Sequence, residues 1–221
     1  MIQRMTENQP PRSARRRPDG PPAGVLAIVG LAFTVAAAAT FTASDTLTGF
    51  FTFAASVPLG IYAATVYARL LRLGIRVPGP NIALVGGISA SVLLAVSGLV
   101  TWAIGRSGAP SLRAGHAVTT GTITLVRDVA FALGGVGFVG GLGLLVAGAA
   151  VPSFILHLVP RPLAAAGLVI AAVAEVSFLA LLWPGFDALL PIGRFAGLAW
   201  LIALGFLLPR DRREVRRATR T

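Results

Sequence analysis

The chain has 221 residues, 55% of them hydrophobic and 12% charged, with a mean hydropathy of +0.80. A soluble domain is about a quarter charged, so this balance excludes ordinary soluble domains and points to one compact bundle of membrane spans. Cysteine is absent, which removes disulfides, thiolate metal sites and thiol catalysis, and the net charge of +11 is carried by arginine alone, without lysine.

Residues 1–22 read as a disordered basic cytoplasmic tail holding Arg4, Arg12, Arg15, Arg16 and Arg17. A bilayer core about 30 Å thick needs about 20 apolar residues of helix, and six segments of 23–208 meet that. The first is Gly24–Ala43. The second, Phe50–Leu70, leads into a connector with Arg69, Arg72 and Arg76 and the breaker "VPGPN". The third is Ile82–Ile104. The polar stretch "RAGHAVTTGTITLVRD" follows, with Val118, Thr122, Leu125 and Val129 at helical spacing; it reads as an interfacial helix or as the lead-in to a long fourth span, Val129–Val151. The fifth is Leu163–Trp183 and the sixth Leu189–Leu208, before a basic tail over 209–221. The expected fold class is all-α, a polytopic membrane helix bundle of about six transmembrane helices.

Arginine counts in alternating connections set the orientation. With the N-terminus inside, fifteen arginines lie inside and four outside (Arg106, Arg113, Arg127 and Arg194). Both termini are therefore expected in the cytoplasm, with the arginine-rich tails on anionic lipid. Cleavage of the first span as a signal peptide is the competing reading, and it leaves the other five spans oriented as before. Arginines in tails and connectors, without a basic folded face and interleaved aromatics, exclude nucleic acid as a partner. Arginine in place of lysine, with abundant Ala, Gly and Val, is the composition of a GC-rich bacterial genome, which makes the membrane a bacterial inner or plasma membrane.

Motifs for chemistry are few. "GVGFVG", Gly135–Gly140, fits the dinucleotide pattern G-x-G-x-x-G, but that motif works at a strand-to-helix turn. Here it lies inside an apolar run, so it reads as helix packing, with Gly137/Gly141 and Gly193/Gly197 as G-x-x-x-G pairs. His116 and His157 fall on opposite sides of the membrane and share no metal. No hydrolase, metalloprotease or phosphate-loop motif is present, so neither a catalytic residue nor a cofactor is expected.

Ionisable groups near spans carry more information, because charge in a bilayer is expensive and tends to face the bundle interior. Arg127 and Asp128 open the fourth span from outside. Glu175 lies eight residues, about 12 Å of helix, below the outer end of the fifth. Arg194 is about a turn and a half into the sixth, at comparable depth. Glu175 and Arg194 are thus placed to pair, and carrying a proton is the carboxyl group's other escape. Two readings follow: an interhelical lock, or an outward polar cluster of Arg127, Asp128, Glu175 and Arg194 that binds a solute or carries a proton.

The segments "GGVGFVGGLGLLVAG", "LVPRPLAAAGLVIAAVAE" and "FLLPRDRR", with "ASVPLGIYAATVYARLLRLGIR" earlier, resemble the bacterial domain of unknown function 4386 family of multi-pass integral membrane proteins over about residues 24–210. The resemblance implies a bundle of about six helices and contributes no site residue. The expected role is non-enzymatic: a small-solute binding or transport-like bundle. The alternative is a structural or regulatory subunit whose glycine-rich faces pack on a second copy or a membrane partner. A lipid-acting enzyme using Asp128 and Glu175 is a third reading.

Overall fold

The computed structural model describes the backbone of residues 21–113 and 120–209, and the side chains of 21–106 and 121–209. The two tails beyond those limits, His116 and the first part of the polar stretch lie outside the described residues. The fold is all-α: every regular element among the described residues is a helix. Its α-helices are α1 Ala23–Thr40, α2 Asp45–Arg72, α3 Pro78–Arg113, α4 Thr120–Phe131, α5 Phe138–Ile155, α6 Arg161–Val176 and α7 Leu189–Leu207. A π-helical stretch, Ala132–Gly137, joins α4 to α5, while 3-10 stretches at Ser177–Leu181 and Pro184–Phe186 lie between α6 and α7.

Among the described residues, six helical segments are long and apolar enough to cross a membrane: Ala23–Thr40, Asp45–Arg72, Pro78–Arg106, Gly121–Ile155, Arg161–Leu181 and Pro184–Leu207. This is the architecture of a multi-pass integral membrane protein. The fourth begins at Gly121, so the described part of the polar stretch belongs to a long span four. Neighbouring spans pack in chain order, and α7 returns to α1, closing the bundle into a ring.

The burial pattern fits lipid on the outside. Ala63, Ala83, Ala90, Ala149 and Ala150 are fully enclosed, whereas Val85, Val169, Leu181 and Leu182 are each more than 60% exposed. Lipid is as apolar as a leucine side chain, so burying large residues gains little there; small residues let helices approach. Gly141 illustrates the limit. A Cβ at this position would lie 2.7 Å from the Ala90 nitrogen and 3.0 Å from its Cα, so α3 and α5 meet backbone to backbone.

The helix ends explain the connectors. Ser44 caps α2, its Oγ accepting the Leu47 N–H at 3.3 Å. Gly74, at φ 81°, ends α2: its N–H bonds Leu71 O and the Ile75 N–H bonds Leu70 O, the Schellman arrangement. At the end of α5, His157 takes the same left-handed position at φ 51°, and the Leu158 N–H bonds Ser153 O.

Arg69 departs from its expected place in a solvated connector. It is 5% exposed, and its guanidinium donates to Gly205 O at 3.1 Å. One turn earlier on α7, Tyr62 Oη donates to Leu201 O at 2.7 Å. Tyr62 and Arg69 are seven residues apart and share a face of α2, so both reach the same side of α7.

Candidate functional site

The interest lies where spans four, five and six are irregular. In a regular helix the Phe138 N–H would bond Gly134 O. Here it bonds Leu133 O and Gly135 O, passing over Gly134. Such π-turns leave carbonyls to be claimed by other groups. Arg194 of α7 claims this one: its Nη2 donates to Gly134 O, and its guanidinium carbon sits 4.6 Å from the centroid of the Phe138 ring. Ser97 of α3 donates to Ala130 O, one turn earlier, at 2.7 Å.

Span five tightens at a similar level. α6 gives way to 3-10 helix at Ser177, whose fully buried hydroxyl donates to Ala174 O at 2.6 Å. The two irregular stretches, 132–137 and 177–181, lie against one another.

Glu175 is half-buried in the last turn of α6. A Cβ at Gly143 of α5 would lie 2.8 Å from Glu175 Oε1 and 2.9 Å from Ala174 Cβ. The missing side chain of Gly143 therefore makes the room the carboxyl group occupies. Glu175 Oε1 and Arg194 Nε are both enclosed by the protein, and neither has a hydrogen-bond partner among the described residues.

The expected Glu175–Arg194 pair is not formed. The two positions are at matching depth, since Gly193 packs against Ala174. Their side chains nevertheless diverge. Every Cα–Cβ bond in a helix tilts toward that helix's N-terminus, and α6 and α7 are antiparallel. Glu175 therefore leans toward Gly143, while Arg194 leans the other way, toward Gly134 and Phe138.

The other two residues of the expected cluster lie elsewhere. Arg127 forms an ion pair of 2.8 Å with Asp45, in the first turn of α2. Asp128 is exposed. Among the described residues no group of three or more His, Cys, Asp or Glu is placed to hold a metal. The four glycines singled out for packing face neighbours within the chain: Gly137 meets Leu93, Gly141 meets Ala90, Gly193 meets Val139 and Ala174, and Gly197 meets Leu142.

Sequence reasoning missed Gly134 and Gly143. Gly134 lies in a glycine run that signalled packing only. Gly143 had a usable signal, a glycine on the helix preceding the one that bears the buried carboxyl group. No family model matches the chain, and no curated protein or solved structure matches it either.

Proposed function

We propose that this chain is a non-enzymatic plasma-membrane protein of a bacterium that binds a small polar solute between spans four, five and six. The observation that carries the reading is the pair of enclosed, unpartnered polar atoms, Glu175 Oε1 and Arg194 Nε, beside two helix irregularities. Broken helices at depth are where transport-like bundles hold their ligands, and an ionisable group inside a membrane is a functional candidate by default. The two side chains diverge, so the solute contact rests on Glu175 Oε1, an enclosed acceptor that suits a solute bearing an N–H donor. The resemblance to the domain of unknown function 4386 family and the cytoplasmic placing of both termini, from fifteen arginines against four, belong to the same proposal.

A second reading has its own support. Arg194 is held by Gly134 O and the Phe138 ring, as an interhelical lock would be. Thermal unfolding in nanodiscs separates the two, with glycine, β-alanine, glycine betaine and acetate as probes. A ligand raises the melting temperature of the protein that binds it. The solute reading expects at least one probe to stabilise the wild type, with the shift lost in Glu175→Gln and the unliganded melting temperature kept. No shift with any probe, and a lowered melting temperature in Arg194→Gln, would leave only the lock.

A further inference from the structure

A recess of about 410 Å³ lies at the junction of α2 and α3, far from the irregular stretches. It is lined by Tyr67 and Leu71 from the last turns of α2, by Ile75, Arg76 and Val77 of the connector, and by Pro78 and Asn81 from the first turn of α3. We propose that this recess binds the headgroup phosphate of an anionic phospholipid.

Position is the first support. The recess sits where two candidate spans end, the level at which lipid headgroups lie and at which tyrosine is enriched. Charge is the second. Arg69, Arg72, Arg76 and Arg161 all lie toward this end of the bundle, whereas the described acids Asp45, Asp128, Glu175 and Asp187 all lie in the opposite half. Arg76 is exposed and makes no ion pair or hydrogen bond among the described residues. Basic recesses between spans are suited to anionic headgroups, and a guanidinium fits the two free oxygens of a phosphodiester.

The lining decides between a lipid and a free anion. Tyr67 and Asn81 offer hydrogen bonds beside Arg76. Leu71 and Val77, 42% and 51% exposed, supply an apolar wall that would otherwise face the boundary of the bilayer. A free phosphate has no use for that wall. A phospholipid sets its glycerol and first methylenes on it.

The test is native mass spectrometry of the full chain released from micelles after incubation with equimolar phosphatidylglycerol and phosphatidylcholine of identical acyl chains. Phosphatidylglycerol should be retained over phosphatidylcholine. Arg76→Ala should lower that retention about fivefold, as expected for one arginine at an anionic surface. Arg76→Lys should keep part of it, since it supplies the charge without the two-pronged fit, and Arg161→Ala, a basic residue on the same side but outside the lining, should lower it much less than Arg76→Ala. Equal retention of the two lipids overturns the proposal, as does full retention by Arg76→Ala with unchanged helical circular dichroism. Displacement of the lipid by millimolar inorganic phosphate also overturns it and identifies a free-anion site.

Discussion

Arg69 donates to Gly205 O, and Gly205 is the residue whose helical donor would be Pro209, which has no N–H. The last turn of α7 thus presents an orphan carbonyl, and the guanidinium of α2 satisfies it from another span. A cation at the C-terminal end of a helix is also favoured by the helix dipole.

Arg69→Met keeps the apolar stem and removes the donor. A hydrogen bond from a charged group contributes about 2 kcal/mol, and the loss should be of that order. Equilibrium unfolding in mixed micelles reads it. An unchanged midpoint would show that water reaches Gly205 O.

Gly141→Ala and Gly143→Ala should differ. At Gly141 the added methyl meets the backbone of Ala90, which cannot turn aside, so α3 and α5 must separate. Overpacking of this kind costs about 3 kcal/mol. At Gly143 one of the two nearest groups is the mobile end of Glu175, and a loss nearer about 1 kcal/mol is expected. Combining Gly143→Ala with Glu175→Ala should recover part of it, since residues in contact are energetically coupled. Strict additivity in the double-mutant cycle would deny the contact. Because Gly141 faces its own chain, size-exclusion chromatography should show the same oligomeric state for each variant.

His157→Gly should stabilise the protein. The left-handed backbone disfavours a residue with a Cβ by about 1 kcal/mol, and glycine is the usual occupant of this cap. A rise in the melting temperature checks it; a fall would mean the imidazole holds something worth more than the strain.

Arg127→Ala should change stability by less than about 0.5 kcal/mol. The Arg127–Asp45 pair is short, but the arginine side chain is 59% exposed, and exposed pairs contribute little. Thermal scans at low and high salt read the difference directly.

The six spans were legible because hydropathy and length act locally and need no knowledge of neighbours. Glu175 and Arg194 were also legible as unusual, and so was their common depth. Their failure to pair was written less openly, in the opposed tilt of Cβ atoms on antiparallel helices. The role of Gly134 was not legible. It depends on a π-turn, and no residue type among "ALGGVG" requires one. Arg69 was misplaced because a basic residue near a span end reads as solvated; only the pairing of Pro209 with Gly205 hinted at a buried acceptor waiting for it.

The π-turn also has a consequence for how span four tolerates change in length. It holds one residue more than a regular turn would, and each residue of an α-helix advances the direction of its side chain by about 100° and its height by about 1.5 Å. Removing a single residue from Ala132–Gly137 would restore regular helix there, but it would swing everything before it around the axis. Arg127 would turn away from Asp45, and Ala130 would withdraw its carbonyl from Ser97. Span four is thus two helical faces set in different phases, α4 keyed to the ends of α2 and α3, and α5 keyed to the bundle interior, with the extra residue as the offset that lets both fit.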